Sequence, residues 1–264
     1  MIDAYLRSEH HLGHSDCTVQ ARSYLLRRWE RHTGGRLIEA TKEDVLAFLD
    51  DDVSLRTRYW RISNLSAFYQ WAIIEEHTDV DPTARVKRPK LPRRKPRPAS
   101  RDVYRQAYEA GDKRMRAMLA LGALAGLRCK EIAGLHVDDI DFEAGTLRVE
   151  TGKGGHQRVV PIPDALVGAL KAWVPPDGWV FPSSKNGSHM TPASVSNVIN
   201  AHFRGLGFPT TAHQLRHLYG TTACEMTDIE TAQELMGHAD IGTTRGYVAV
   251  SPEKKEKIRG IRYS

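Results

Sequence analysis

Three short strings gather the residue types that can hold an anion and attack it: guanidinium forks, imidazoles and a phenol. The first is Ala125-Gly126-Leu127-Arg128-Cys129-Lys130-Glu131-Ile132, an arginine at the end of an apolar helical pattern with an acid three residues on. Taken alone, Arg128 reads as a surface arginine paired with Glu131. The second is His213-Gln214-Leu215-Arg216-His217, where helical spacing puts His213 and Arg216 on one face. His213 and His217 also stand four apart, as zinc ligands on a helix do. The string lacks the glutamate of the His-Glu-x-x-His motif and has no third ligand nearby, so no metal is expected. The third runs Glu234-Leu235-Met236-Gly237-His238-Ala239-Asp240-Ile241-Gly242-Thr243-Thr244-Arg245-Gly246-Tyr247. Gly237 can end a helix just before His238, and Gly246 leaves an adjustable position before Tyr247. By itself Tyr247 could equally be an ordinary half-buried tyrosine.

The elements that must position these residues are mostly helices. After Ser100 an apolar helical pattern runs through Met118, Leu119, Leu121, Leu124 and Leu127, and helices are predicted near 191–204, 213–226, 229–236 and 243–248. Between them, Thr146-Leu147-Arg148-Val149 and Arg158-Val159-Val160-Pro161-Ile162 read as two strands joined by Gly152-Lys153-Gly154-Gly155, a hairpin that carries Lys153 at its tip. Upstream, three helices are predicted: one from Asp16, which can cap it, one from a capping box at Thr41-Lys42-Glu43-Asp44, and one capped by Ser54. In the last, Arg56, Arg58 and Arg61 lie mostly off the apolar face, as either a solvated basic face or a nucleic-acid contact. From Arg85 to Pro98 the chain is basic, rich in proline and free of acids, which forbids a continuous helix and favours an extended path. Its Arg93, Arg94, Lys95 and Arg97 suit a phosphate backbone, with a nuclear-localisation type of run as the competing reading.

Bulk composition agrees without deciding. The chain has 264 residues, enough for about two domains, and 38 Lys+Arg against 32 Asp+Glu give it a net charge of +6. A polyanionic partner is plausible on that charge. Three widely separated cysteines, Cys17, Cys129 and Cys224, make a disulfide framework unexpected and suit a reducing cytoplasm. No apolar run approaches the length of a membrane span, so no membrane association is expected.

In their order and separations the three strings resemble the catalytic region of tyrosine recombinases, the phage integrase family, over about Asp102 to Val250. That resemblance implies a mainly α protein of two domains. Residues 1–84 would be an all-helical SAM-like core-binding domain and 85–100 the linker. Residues 101–250 would be a mostly helical catalytic domain with a small antiparallel sheet, the DNA breaking-rejoining enzyme fold. A tail, 251–264, would dock on a neighbouring protomer. It also implies roles: Arg128 and Arg216 clamp the scissile phosphate, His213 and His238 complete its cradle, Tyr247 is the nucleophile, Lys153 the general acid, and Glu131 supports from behind. Cys129-Lys130 and Val248-Ala249-Val250 depart from the residues common in the family, at positions with no catalytic role.

Those roles make chemical sense. Attack on a phosphodiester builds negative charge on nonbridging oxygens, which two guanidinium forks can hold. A phenol with a pKa of about 10 needs a proton acceptor, for which His213 is the candidate, and the departing 5′ oxygen needs a proton, assigned to Lys153. No cofactor or external energy source is required. The implied function is site-specific recombination through a 3′-phosphotyrosine, for phage or mobile-element integration and excision. Expected partners are double-stranded DNA attachment sites, a homotetramer on synapsed DNA formed from a free monomer, and a directionality factor, in the cytoplasm of a bacterial host. The rivals are a type IB topoisomerase-like relaxing enzyme and a catalytically inactive DNA-binding regulator.

Overall fold

Short polar side chains set where the helices begin. In the computed structural model, which describes residues 1–92, 97–150, 157–184 and 187–237, contacts divide the chain into two compact units, Met1–Arg93 and Arg94–Ser264.

The first unit contains α1 (Ile2–His11), α2 (Asp16–His32), α3 (Lys42–Leu49) and α4 (Leu55–Ile74). Ser15 rather than Asp16 caps α2, accepting from the Thr18 amide. Thr41 and Asp44 form the capping box of α3, and Ser54 caps α4. The core closes around Trp29, whose Nε1–H donates to the Tyr69 hydroxyl at 2.8 Å; that hydroxyl donates to the Leu37 carbonyl at 2.7 Å. Helix α1 was not expected from the sequence. Its buried face is Ile2, Tyr5 and Glu9, and the acid at the third position, paired with Arg22, breaks the apolar pattern.

Arg61 corrects a sequence expectation. It is 5% exposed and donates to the Phe48 carbonyl and to Asp51, at 3.3 and 2.9 Å. It therefore holds α4 to the end of α3, on the buried side of the helix rather than off its apolar face. Arg56 is exposed and Arg58 partly so.

The second unit runs α5 (Arg101–Ala110), α6 (Lys113–Leu124), α7 (Cys129–Ala133), a 3-10 turn at Val137–Asp139, β1 (Ile140–Asp141), β2 (Thr146–Glu150), β3 (Gln157–Pro161), α8 (Asp164–Lys171), α9 (Pro192–Gly205), α10 (Ala212–Met226) and α11 (Ile229–Met236). Helix α6 is buried almost all round, from Met115 to Ala123, and α5, α8, α9 and α10 pack on it. The strands form an antiparallel sheet in the order β1-β2-β3, with Leu147 opposite Val160 and Val149 opposite Arg158. The hairpin was expected; β1 and α8 were not. Strand β1 is two residues long, and α8 spans two turns between Pro163 and Pro175-Pro176, too short for a period to stand out.

The basic segment between the units is tied at both ends. Val86 packs on the first core, and the buried Ala99 donates its amide to the Gln214 carbonyl on α10 at 3.0 Å. Among the described residues no helix is long and apolar enough to cross a membrane.

Candidate active site

The turn that ends α6 needs a glycine, and that turn aims Arg128. Gly126 has φ +66, and a Cβ there would overlap the Tyr219 ring, 2.7 Å from its Cε1. Two residues on, Arg128 stands at the start of α7. Its backbone N–H donates to Glu131 Oε2 at 2.8 Å, and its Nη1 to Glu131 Oε1 at 2.9 Å. The pairing expected from the sequence forms, but not at the surface, because the Glu131 side chain is 5% exposed.

Glu131 is the meeting point of three arginines. Besides Arg128, it accepts a bidentate pair from Arg158 on β3, Nη1 to Oε1 at 3.0 Å and Nη2 to Oε2 at 2.9 Å. Arg216, from α10, lies 3.8 Å from Oε2. Burial pushes the Glu131 carboxyl up, but Arg158, the Arg128 amide and Arg216 outweigh it and hold the group below its usual 4.5. It stays ionised among the guanidiniums.

The same three arginines grip the end of α11. Arg158 Nε donates to the Leu235 carbonyl at 2.9 Å, Arg216 to that of Met236, and Arg128 Nη2 to that of Gly237 at 3.1 Å. Carbonyls at a helix C-terminus lack intrahelical partners and attract cations, so three consecutive ones make a good seat for three cationic forks. Gly237 closes the helix in the left-handed region, φ 58. Arg216 also donates to the Gly126 carbonyl, tying the α6 turn into the same network. The residue after Gly237 in sequence is His238.

Helix α10 carries both histidines of the second string. The His213 and His217 rings meet edge to face, centroids 4.4 Å apart. Partial desolvation lowers the pKa of His213, and the charges of Arg216 and Arg128 lower it further. Both effects favour the neutral form of the His213 ring. Desolvation and then His213 and Arg216 bring His217 down to about 4. Tyr219 is raised by burial against the opposing pull of Arg158 and Arg216. Among the described residues no group of three His, Cys, Asp or Glu side chains could hold a metal ion.

Of the site residues expected from sequence, the structure brings Arg128, Glu131, His213 and Arg216 together. Lys153, His238, Tyr247 and the tail 251–264 lie outside the described residues, as do Arg93, Arg94 and Lys95; Arg97 is exposed. The residue that sequence reasoning missed is Arg158. Its strand alternates with Arg158 and Val160 buried and Val159 exposed. A period of two through Val160 places Arg158 on the inner face, where a charge must have a partner.

The phage integrase family model matches residues 100–254. The tyrosine recombinase XerA of Pyrococcus furiosus is 30% identical over 253 residues, covering 90% of this chain and 85% of its own length. This chain belongs to the phage integrase family. It is a tyrosine recombinase, an enzyme of site-specific DNA recombination. The recombinase XerC of Azotobacter vinelandii is 36% identical over 201 residues, covering 70% of this chain and 67% of its own. Among solved structures, a lambda integrase dimer bound to a COC′ core site shares the fold, with a TM-score of 0.78 at 21% identity over 100% of this chain and 96% of that one. All three chemical strings of this recombinase, and Arg158, fall inside the segment that the family model matches.

Proposed function

We propose that this recombinase cuts and rejoins double-stranded DNA at specific attachment sites through a 3′-phosphotyrosine at Tyr247. The observation that carries this reading is the convergence of Arg128 and Arg216 on Glu131 and the end of α11. Two guanidiniums from distant parts of the chain share one anchor immediately before the segment that holds His238 and Tyr247.

In this reading Arg128 and Arg216 clamp the nonbridging oxygens of the scissile phosphate, with His238 adding a hydrogen bond. The phenol oxygen of Tyr247 bonds to phosphorus as its proton passes to His213. The bond from phosphorus to the 5′ oxygen breaks, and that oxygen takes a proton from Lys153. The reverse sequence with a new 5′ hydroxyl rejoins the strand, so the energy of the phosphate ester is retained. Arg216, 3% exposed at its side chain, must exchange a carbonyl for a phosphate oxygen to do this. A charged acceptor makes the stronger hydrogen bond, which favours the exchange.

Tyr219 is the nearest competing nucleophile, and its raised pKa makes it a poor one. The biological setting in this reading is integration and excision of a phage or mobile element in the bacterial cytoplasm. A monomer would assemble as a tetramer on synapsed sites, under a directionality factor. The basic residues Arg56, Arg58, Arg93, Arg94, Lys95 and Arg97 would contact phosphates.

The test is covalent capture on a nicked suicide substrate. Tyr247→Phe should bind the site with near-parental affinity and give no protein–DNA adduct on a denaturing gel, while Tyr219→Phe still gives one. An adduct peptide containing any other tyrosine overturns the assignment. Supercoiled plasmids carrying paired sites separate recombination from simple relaxation by their products.

A further inference from the structure

We propose that Arg158 is a positioning residue for strand cleavage, holding both oxygens of Glu131 and the Leu235 carbonyl together so that Arg128 and Arg216 can turn to the phosphate without losing their frame. The proposal rests on the reading of Arg128 and Arg216 given above.

Arg158 differs from the other two arginines in how its donors are used. Its Nη1 and Nη2 take both carboxylate oxygens at 3.0 and 2.9 Å, and its Nε takes the Leu235 carbonyl at 2.9 Å. Its side chain is 6% exposed, against 39% for Arg128. Arg128 and Arg216 also each reach a carbonyl at the end of α11, Gly237 and Met236, through a terminal guanidinium nitrogen. Those neutral acceptors are the ones a phosphate oxygen would displace. When they are displaced, Arg158 still links Glu131 to α11 through the Leu235 carbonyl, while Arg128 keeps its amide and Nη1 contacts to Glu131. The carboxylate keeps a bidentate partner, and the helix end keeps one of its three anchors.

The backbone is shaped to admit this side chain. A Cβ at Gly237 would stand 3.0 Å from Arg158 Nη1, and the residue already has φ 58. Glycine at that position lets the helix end close over the guanidinium. A buried ion pair is also an inefficient way to add stability, because an apolar pair of similar volume does as well or better. A charged fork on the inner face of β3 is better explained by what it holds than by packing.

The test uses the full chain with Arg158→Gln, Arg158→Lys, Glu131→Gln and the pair Glu131→Gln/Arg158→Gln. Binding to a half-site and the single-turnover rate of adduct formation at saturating DNA are measured at a temperature where melting curves show each protein folded. The single variants should bind within a few-fold of the parent yet form adduct about 100-fold more slowly, the scale of loss for a displaced catalytic group. Lysine should recover little, since an ammonium cannot span the carboxylate and the carbonyl in one plane. Because Arg158 acts through Glu131, the double variant should be less impaired than additive effects would make it, and close to the worse single variant. Parental rates in folded Arg158→Gln, equal losses in binding and rate, or full additivity would each overturn the proposal. So would failure of every Arg158 variant to fold, which would make Arg158 a folding residue. Tyr247→Phe is run alongside: if it still forms adduct, the reading of the active site fails, independently of what Arg158 does.

Discussion

Replacing Glu131 by glutamine keeps the shape of the side chain and removes one negative charge from the point where three guanidiniums meet. Arg158 loses the most. Both side chains are nearly inaccessible, 6% and 5% exposed, and the amide offers one acceptor where the carboxylate offered two. Breaking a buried pair in this way costs about 3–5 kcal/mol. Arg128, 39% exposed, adds less than about 1 kcal/mol, and Arg216 retains its carbonyl partners on Gly126 and Met236. For a domain of this size each kcal/mol moves Tm by about 2–4 °C, so the unfolding transition of the second unit should fall by about 6–20 °C at neutral pH. Circular dichroism melts of the full chain read this directly. The pH dependence adds a second requirement. Burial raises the Glu131 carboxyl, but Arg158, the Arg128 amide and Arg216 hold it below 4.5. The stability it contributes is therefore complete above about that pH and is lost as pH falls through the lower folded value. The gap between parent and variant should be full at neutral pH and close in more acid solution. A shift under about 2 °C, at most about one kcal/mol for such a domain, or a gap that does not change on acidification, refutes the shared-carboxylate account.

Three further outcomes are expected. Gly126→Ala forces a side chain into the Tyr219 ring at a positive φ; it should cost about 2–5 kcal/mol from backbone strain and overpacking together, read by urea denaturation, and a neutral result would mean the turn is not constrained. Replacing Arg93, Arg94, Lys95 and Arg97 by glutamine should flatten the log–log salt dependence of DNA binding by about 0.9 per lost phosphate contact, whereas Arg61→Gln should lower the stability of the first unit and leave that slope unchanged. Lys153→Ala should cleave a normal site slowly and a 5′-bridging phosphorothiolate at close to the parental rate, because a thiolate leaves without a proton; equal slowing of both substrates would remove Lys153 from the acid role.

Where one kind of physics acted alone, the sequence was readable. The caps at Thr41 and Ser54, the stripe of α4 and the β2–β3 pair follow from local spacing, and the observed elements lie within a residue or two of those expected. Arg128, His213 and Arg216 stood out because their strings are compact and their chemistry unusual. What escaped was whatever mixed charge with burial. Glu9 on α1, Arg61 on α4 and Arg158 on β3 each occupy an inward position with a charged group, and each is tolerated through a partner distant in sequence: Arg22, Asp51 and Glu131. Reading charge as exposure sends such residues to the solvent even where, as at Arg158, the period of the strand puts them inward, which is why Arg61 was placed off the apolar face and Arg158 was passed over.

The seat at the end of α11 also bears on when this enzyme becomes able to cut. Its three donors reach Leu235, Met236 and Gly237 from residues 77, 20 and 109 positions away, and closing such long loops is entropically late in folding. On a ribosome the arginines emerge before the carbonyls that hold them. A growing chain therefore carries these guanidiniums without their frame, and acquires the frame only once α11 has been made and docked. A copy that stops before α11 has Arg128, Arg158 and Arg216 but neither the carbonyls that hold them nor Tyr247, so the frame of the clamp and the proposed attacking residue are both completed only at the end of synthesis.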